Sequence, residues 1–417
     1  NTVTGATNGL TLVGGTGGAG NISVTGTGGF FGGTGDGANI LNNGSGTTTV
    51  DISGASGSTA GNGIIVRDTA TSGDMSVTTG AVTALTAGMN AVDARSSSNT
   101  ANVTIVTNGD INAGNAGVVG LISPAGATGN IDVTTNAAVT ARFGVDAENF
   151  GTGNTTVTTV GPVNATTGNG VYASAAGGNV LVTAGDVTST GNTAIFAQQT
   201  NAAGAGNVDV TAGTVSGTTG ITATNVGTGA ITVTTNGTVT GTTAEGILAL
   251  GNGAVTVTAP NTVTGATNGL TLVGGTGGAG NILVNSTGGF FGLNGNGASI
   301  QNNGSGTVTV DISGASGATG GSGILVRDTN AGGDISVTTG AVTSTDQNGI
   351  DAFGSSFTGN VTVVANGGGS GRATWTAMTR HRYELLVSVL WDLQQRAPDP
   401  ARPAEMFWIS ERARARS

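Results

Sequence analysis

The feature that most constrains this chain is a short unit of alternating residues that recurs about every 26 residues along most of its length. One unit is clear in Gly220–Thr240, where three short segments carry an apolar residue at every second position and are separated by Gly and Asn. Alternation with a period of two is typical of a strand that has one buried face, and Gly and Asn are typical of turns. Each unit therefore predicts three short strands.

The unit recurs about fourteen times, and its phase can be followed by the first apolar residue of each unit. These residues are Leu10, Ile40, Ile64, Val92, Val118, Val145, Val171, Ile195, Ile221, Ile247, Leu270, Ile300, Ile324 and Ile350. No segment with helical spacing lies between the strands, so the economical arrangement is a stack of coils in which each strand pairs with its equivalent one unit on.

The predicted fold is therefore all-β, a right-handed parallel β-helix of about 14 coils that covers residues 1–367. In one representative coil, the residues expected to point inward are Ile221, Ala223, Ile231, Val233 and Val239. Glycine supplies 80 of the 417 residues, which raises the alternative of a disordered Gly-rich polymer. The β-branched residues recur in register, and this regularity favours a folded chain.

Composition excludes several classes of function for the repeats. The formal net charge is −10 and lysine is absent, which argues against a basic surface for nucleic acid. Without cysteine, the chain forms neither disulfides nor thiolate metal sites. No apolar run approaches the length of a membrane-spanning helix.

A longer repeat is superimposed on the short one. Asn1–Gly20 recurs letter for letter as Asn261–Gly280, and Val66–Thr69 recurs as Val326–Thr329. This pattern suggests duplication of a block about ten coils long, which solenoids tolerate because each coil contacts only its neighbours. The chain begins within a repeat, so the sequence is expected to be a piece of a longer protein.

Residues 368–417 form a non-repeat tail, in which Thr379–Arg396 has helical spacing and precedes Pro398. Three interpretations of this tail remain open. Its helix could cap the last coil, with Tyr383, Leu386 and Leu390 covering Val361 and Val363. It could be a binding segment with a basic end formed by Arg412, Arg414 and Arg416. It could also be foreign sequence joined by a frameshift, which the break within a coil favours.

The search for catalytic residues begins with His381, which is the only histidine and lies in the tail. The repeats therefore cannot build a Ser-His-Asp or Cys-His arrangement. Asp93, Asp146 and Asp351 occupy an outward position of the first strand, and Val119 lies between the first two. Because coils stack about 4.8 Å apart, Asp93 and Asp146 would be about 10 Å apart, too far to share a metal.

The remaining charged residues are expected to be structural. Arg67-Asp68 and its copy Arg327-Asp328 are expected to be local surface charges. Four carboxylates follow Gly at corners, where Asp makes local hydrogen bonds: Asp74, Asp110, Asp186 and Asp334. No catalytic, cofactor-binding or metal-binding residue is predicted, and no cofactor is expected.

Outward threonines raise the possibility of an ice-binding face. Thr-x-Thr triplets occur at Thr156–Thr158, Thr232–Thr234 and Thr256–Thr258. Ranks of outward Thr on a flat parallel sheet could order water. The column is expected to be interrupted by Asp132, Leu181, Asp209 and Leu283.

The composition and spacing of the repeats resemble those of a known class of proteins. Asn130–Thr135, Gly161–Ala165 and Gly168–Ala173 look like the passenger repeats of bacterial autotransporters and related filamentous surface adhesins. The resemblance implies export to the surface of a Gram-negative cell and a role in adhesion or biofilm contacts. It also implies a membrane β-barrel as anchor, which the tail does not contain.

The expected function is therefore that of a non-enzymatic, surface-displayed or secreted stalk, a monomeric rod whose partners are a host or abiotic surface or glycans. The alternative is a polysaccharide lyase or hydrolase on the same scaffold, and a third hypothesis is ice binding. A groove with clustered Asp and Arg would favour the enzyme, whereas an unbroken rank of Thr would favour ice binding.

Overall fold

The computed structural model describes residues 1–14, 17–69, 73–276, 278, 280–329, 333–354 and 359–367. All 42 regular elements in these residues are β-strands. Each coil contributes one strand to each of three sheets, and the strands are short because Gly-rich corners end them after three to seven residues.

Sheet 1 contains fourteen strands of three residues each. They are β1 (Val3–Gly5), β4 (Phe30–Gly32), β7 (Ser56–Ser58), β10 (Val82–Ala84), β13 (Ile111–Ala113), β16 (Val139–Ala141), β19 (Val163–Ala165), β22 (Val187–Ser189), β25 (Val215–Gly217), β28 (Val239–Gly241), β31 (Val263–Gly265), β34 (Phe290–Gly292), β37 (Ser316–Ala318) and β40 (Val342–Ser344).

Sheet 2 contains strands of five residues, except for β14 and β17, which have seven. They are β2 (Leu10–Gly14), β5 (Ala38–Asn42), β8 (Ile64–Asp68), β11 (Val92–Ser96), β14 (Ala116–Ile122), β17 (Phe143–Asn149), β20 (Val171–Ala175), β23 (Ile195–Gln199), β26 (Ile221–Asn225), β29 (Ile247–Gly251), β32 (Leu270–Gly274), β35 (Ala298–Asn302), β38 (Ile324–Asp328) and β41 (Ile350–Gly354).

Sheet 3 completes each coil with a strand of five residues. Its strands are β3 (Ile22–Gly26), β6 (Thr48–Ile52), β9 (Met75–Thr79), β12 (Val103–Thr107), β15 (Ile131–Thr135), β18 (Thr155–Thr159), β21 (Val180–Ala184), β24 (Val208–Ala212), β27 (Ile231–Thr235), β30 (Val255–Ala259), β33 (Ile282–Ser286), β36 (Val308–Ile312), β39 (Ile335–Thr339) and β42 (Val361–Ala365).

Every strand pairs in parallel with its equivalent in the next coil, so the chain is a β-solenoid of about 13 turns. We number the coils 1 to 14 in chain order, coil 1 being β1–β3 and coil 14 being β40–β42. The predicted parallel β-helix is confirmed, and its right-handed sense stays a prediction based on the usual hand of such connections. The predicted first apolar residue of the unit is shifted in coils 2 and 12. Ile40 and Ile300 are the third residues of their strands, and they pair with Leu12 and Leu272, which are also third residues.

The core is continuous through all coils and consists of stacked columns of inward side chains. Ile221, Ala223, Ile231, Val233 and Val239 are fully buried, as the alternation predicts. Equivalent residues of adjacent coils stack on one another, as in the pairs Ile195–Ile221 and Val210–Val233. Burying one aliphatic side chain contributes roughly 1.5–3 kcal/mol, so each coil is stabilised by its two neighbours.

Columns of Asn and Asp at the corners connect the coils with side-chain hydrogen bonds. Ahead of sheet 3, the side-chain oxygen of Asn102 accepts from the backbone N–H of Asn130 at 2.9 Å, and Asn130 accepts from Asn154 at 2.8 Å. Asp74 and Asp334 occupy the same column and accept from the residue one coil on. The prediction that these aspartates make local hydrogen bonds is therefore wrong, because their bonds join successive coils.

The predicted helix Thr379–Arg396 and the predicted cap formed by Tyr383, Leu386 and Leu390 lie outside the described residues. His381 and the basic end of the tail lie outside them too. The two residues that the cap was expected to cover, Val361 and Val363, are partly buried on β42 and pack against the core.

We expect Ile231→Ala to destabilise the solenoid by about 2–5 kcal/mol, because the deletion leaves a cavity between two coils that cannot collapse. Thr232→Ala, on the outer face of the same strand, is the matched control and should change stability by less than about 0.5 kcal/mol. Urea denaturation followed by far-UV circular dichroism measures both. Equal losses in the two variants would contradict the inward assignment.

Candidate functional site

The outer face of sheet 2 carries a charged cluster between coils 3 and 8. Five-residue strands of this sheet direct their second and fourth residues outward. In coils 3, 4 and 6, these positions hold the members of the cluster, namely Arg67, Asp93, Arg95, Asp146 and Glu148. The regular register places them in two adjacent columns, so the solenoid brings together residues that are up to 81 positions apart in sequence.

Asp93 is the centre of the cluster in coil 4. It is only 2% exposed, and it is flanked in its column by Ile65 and Val119. Arg95 Nε donates to its Oδ1 at 2.6 Å and Arg67 Nη2 to its Oδ2 at 3.2 Å. Asn90 Nδ2 also donates to Oδ2 at 3.0 Å. These donors compensate for the burial of the charge, and the bond to Asp93 raises the pKa of Arg95.

The prediction that Arg67-Asp68 is a local pair of surface charges is correct for Arg67, whose side chain is 40% exposed, and wrong for Asp68. Asp68 points into the solenoid at the end of β8 and is only 5% exposed. It accepts hydrogen bonds of 2.7 Å from Ser96 Oγ and from the backbone N–H of Ser97, both in the next coil. Strand alternation sends adjacent residues to opposite faces, so Arg67 and Asp68 cannot act as one site. The copy Asp328 is likewise buried.

Asp146 and Glu148 lie on β17, two coils beyond Asp93. They line a shallow pocket of about 200 Å³ together with Phe143, Val145, Asn169 and Tyr172. Asp146 pairs in register with Val119 on one side and Tyr172 on the other. Its Oδ1 is buried and has no hydrogen-bond partner among the residues that the structure describes.

Burial is the main cause of the altered acidity in this pocket. Desolvation, with a smaller contribution from Glu148, raises the pKa of Asp146 to about 7, while Arg95 acts in the opposite direction. Desolvation also raises the pKa of Glu148, against the opposing effect of Arg95. Asp146 is therefore a carboxyl group that titrates near neutral pH. A second carboxyl group, that of Glu148, lies two residues further along the strand.

Aromatic rings form the walls of the pocket. Tyr172 packs edge-to-face on Phe196, with ring centroids 5.5 Å apart, and its hydroxyl accepts from Gln198 Nε2. Desolvation raises the pKa of Tyr172. The guanidinium of Arg142 lies over the ring of Phe143, 5.3 Å from its centroid.

The position of Phe143 results from a short corner in coil 6. Only Arg142 separates β16 from β17, whereas five residues separate β19 from β20 in coil 7. The ring of Phe143 consequently lies over Gly168, where a Cβ atom would be 1.9 Å from Phe143 Cδ1. Glycine at position 168 is thus a requirement for this wall of the pocket.

This arrangement is suited to proton transfer on a ligand that lies on the sheet. Cα atoms of residues two apart on one strand are about 6–7 Å apart. A carboxylic acid protonated near pH 7 beside a second carboxylate is the pairing that glycoside hydrolysis uses. The aromatic rings of Phe143 and Tyr172 offer apolar surface for a sugar ring.

The other predicted carboxylates are not brought to this pocket. Asp351 lies in coil 14, opposite Leu325, eight coils from Asp146. At the corners, Asp110 accepts from the backbone N–H of Ala138 at 3.3 Å and Asp186 from that of Thr214 at 2.9 Å. Within the described ranges, no group of three or more His, Cys, Asp or Glu residues could hold a metal ion.

The outer face of sheet 3 carries two columns that are rich in threonine, and both are interrupted. In the column of second residues, the predicted interruptions are confirmed: Asp132 precedes Thr156, and Asp209 separates Leu181 from Thr232. The column of fourth residues holds a continuous run of threonine over coils 5 to 10, between Val106 and Asn285, which was not predicted. Its members are Thr134, Thr158, Thr183, Thr211, Thr234 and Thr258.

Arg95, Glu148 and Phe143 were not predicted from the sequence. The prediction considered only one outward column of sheet 2, which holds Asp93 and Asp146 two coils apart, with Tyr172 and Phe196 in the coils that follow. The signal was the spacing Asp93-x-Arg95 and Asp146-x-Glu148, which puts both residues of each pair on the same face of a strand.

Comparison of the chain with protein-family models, curated proteins and solved structures gave no match. Within the described residues, none of the elements is a helix of the length and apolarity needed to cross a membrane.

We expect the chain to lose stability, by at most about 4 kcal/mol, as the pH rises from about 4 to about 8. Asp146 has a pKa of about 7 in the folded chain against 3.8 ordinarily, so the folded state retains a proton that the unfolded state has lost. Asp146→Asn should therefore be more stable than the parent at high pH and equal to it at low pH.

Thermal melting at several pH values measures this difference. Asp132→Asn, at an exposed outward position of β15, is the matched control and should follow the parent curve. If Asp146→Asn shows the same pH dependence as the parent, Asp146 ionises without a penalty and the pocket is fully solvated.

Proposed function

We propose that the chain is a surface-displayed or secreted structural stalk that makes adhesive contacts with a surface or with glycans. The observation that carries this proposal is the unbroken pairing of all three sheets through fourteen coils. An architecture in which each coil is stabilised by its neighbours can be lengthened by adding coils, without redesign of a central core. The near-identity of coils 1 and 11 supports length as the selected property.

The composition is consistent with display outside the cell. The chain has no cysteine, and charged residues make up only 8% of it. Such a chain suits export in the unfolded state, followed by folding coil by coil. The resemblance of the cadence to autotransporter passenger repeats adds to this proposal, and with it the expectation of an outer-membrane location.

Antibody labelling of cells that produce the protein tests display. Antibodies against coils 8–10 should label intact cells as strongly as permeabilised cells. Beads coated with the full chain should also adhere to polysaccharide-coated glass under flow, whereas beads coated with the denatured chain should not. Labelling that requires permeabilisation would rule out a surface stalk.

A second function is favoured by one observation, the Asp146–Glu148 pair in its aromatic pocket. In this candidate, protonated Asp146 donates to the glycosidic oxygen and the Glu148 carboxylate acts as nucleophile or base. The Glu148 carboxylate, and Asp146 once it ionises, repel acidic polysaccharides, so this pocket favours hydrolysis of a neutral glycan over the lyase alternative. Arg67 and Arg95 are held by Asp93 and are not directed at this pocket by any ion pair.

Reducing-end assays on neutral polysaccharides test the hydrolase. If it is correct, Asp146→Asn and Glu148→Gln should each lower turnover at least about 100-fold, whereas Asp132→Asn should retain it. Turnover that survives both substitutions would place the chemistry elsewhere. An absence of turnover by the parent chain would leave the non-enzymatic stalk as the function.

A further inference from the structure

The pocket on the outer face of sheet 2 combines acidic groups with aromatic rings. It is lined by Phe143, Val145, Asp146, Glu148, Asn169 and Tyr172. Of these described residues, two carry a carboxyl group and none carries a cation. The volume of about 200 Å³ is below the roughly 300–1,000 Å³ of pockets for drug-sized ligands, so the pocket fits a small group or the end of a side chain.

The carboxyl group of Asp146 lacks the partners that the buried carboxylates of nearby coils have. Asp68 accepts two hydrogen bonds from coil 4, and Asp93 accepts from two guanidinium groups and an amide. Oδ1 of Asp146 is also buried, but it accepts no hydrogen bond from the residues that the structure describes. A buried ionised oxygen without a donor is costly, so a ligand that brings both a donor and a positive charge would stabilise it.

The side-chain amide of Asn169 is a second polar group of the pocket without a partner. In coils 3 and 4, the side-chain oxygen of the Asn at this corner accepts a hydrogen bond from the next coil. At Asn169 this bond is missing, because the backbone N–H of Thr193 in coil 8 is donated to Asn192 instead. On the other side, the single residue Arg142 forms the corner of coil 6 and offers no Asn. Within the described residues, the amide is therefore available to a ligand.

Aromatic surface flanks the two carboxyl groups. Tyr172 pairs in register with Asp146, and Phe143 lies three residues before it on the same strand. Aromatic rings attract ammonium groups and also cover the methylene groups of an alkylamine. The guanidinium of Arg142 is held outside the lining by the ring of Phe143 and by Thr167 Oγ1, to which its Nε donates at 2.9 Å.

We propose that this pocket binds an alkylammonium group, of the kind that a polyamine or a lysine side chain carries. The ammonium donates to Oδ1 of Asp146, to the Glu148 carboxylate and to the side-chain oxygen of Asn169. An ammonium has three N–H donors, which matches these three acceptors. Its methylene groups lie against Tyr172 and Phe143. The sequence contains no lysine, so none of its own side chains supplies this group.

This site gives the proposed adhesive stalk a chemical partner, a polymer or surface that carries alkylammonium groups. Binding at the pocket does not depend on display outside the cell, so either proposal can fail alone. The site competes with the hydrolase candidate, which needs Asp146 in its protonated form. An ammonium ion lowers the pKa of a neighbouring carboxyl group, so in the bound state Asp146 has no proton to donate.

Binding is linked to the ionisation of Asp146. Its pKa is raised to about 7 by burial and by Glu148 on the same strand, while Arg95 on β11 lowers it and Asp93 raises it slightly. Of the adjacent strands, β20 contributes Tyr172 and β14 contributes no charged residue. Below pH 7 the ammonium must displace the proton of Asp146, so we expect the affinity to rise at least about tenfold between pH 5 and pH 8. The alkylamine itself stays protonated there, because it titrates near about pH 10.

Isothermal titration calorimetry of the full chain with n-butylammonium chloride, at constant ionic strength, tests the proposal. n-Butanol has the same carbon chain without the charge and should bind at least about tenfold more weakly. Titration at pH 6 in two buffers of different ionisation enthalpy should reveal that binding releases protons. At pH 8.5 this release should vanish, because Asp146 is already ionised.

Four variants assign the binding to the pocket. Asp146→Asn and Glu148→Gln should each lower the affinity at least about tenfold, and Asp146→Asn should also remove most of the proton release. Tyr172→Leu should weaken binding, whereas Tyr172→Phe keeps the ring and should retain it. Asp132→Asn, at an exposed outward position of β15, is the matched control and should bind as the parent does.

Two further probes distinguish the sources of the amine. Spermidine represents a polyamine, and Nα-acetyl-lysine amide represents a lysine side chain. Both should displace n-butylammonium, and the tighter of the two identifies the source that the pocket prefers. Failure of both to displace it would contradict the proposal.

The proposal is overturned by equal affinity for n-butanol, or by binding that survives the Asp146→Asn/Glu148→Gln double variant. Equally effective displacement by magnesium chloride at the same ionic strength would show a general attraction of cations to an acidic surface and would also overturn it. If the parent chain hydrolyses a neutral glycan and n-butylammonium does not inhibit the reaction, the pocket belongs to the hydrolase and not to an amine.

Discussion

The interaction on which everything else depends is the in-register parallel pairing of each strand with its equivalent one coil on. Because side chains alternate strictly along a strand, this register stacks like residues on like through the whole core. A slip of one residue in any coil would turn its Val and Ile residues outward and break the column on both sides. The Asn and Asp ladders at the corners reinforce the same register, since each side chain bonds the residue one coil on.

Thr, Ser and Asn are frequent on the outer face of the solenoid, and charged and aromatic side chains are concentrated in a few coils of sheet 2. Coils 3 to 8 concentrate Arg67, Asp93, Arg95, Asp146 and Glu148, with aromatic side chains beside them. The buried Asp93 accepts hydrogen bonds from two guanidinium groups, whereas Oδ1 of Asp146 is buried and has no donor among the residues that the structure describes. That contrast makes Asp93 a structural anchor and Asp146 the carboxyl group of the cluster whose pKa is raised most clearly.

Duplication accounts for part of the length of the solenoid. Asn1–Gly20 recurs as Asn261–Gly280, so coils 11 to 14 closely resemble coils 1 to 4. Because each coil contacts only its neighbours, a copied block can stack on the coils before it without redesign of a central core.

The sequence by itself determined the fold, because a period of two within a period of about 26 residues has one economical solution, and it identified the inward residues of coil 9 correctly. It also showed that Asp93 and Asp146 are two coils apart. Only the tertiary structure decided which side chains meet across coils: the ion pairs of Asp93, the inward turn of Asp68, and the seating of Phe143 over Gly168. Corner lengths vary, with one residue between β16 and β17 and five between β19 and β20, and the short corner brings Phe143 over Gly168. Contacts between coils therefore depend on a stacking register that no single unit encodes.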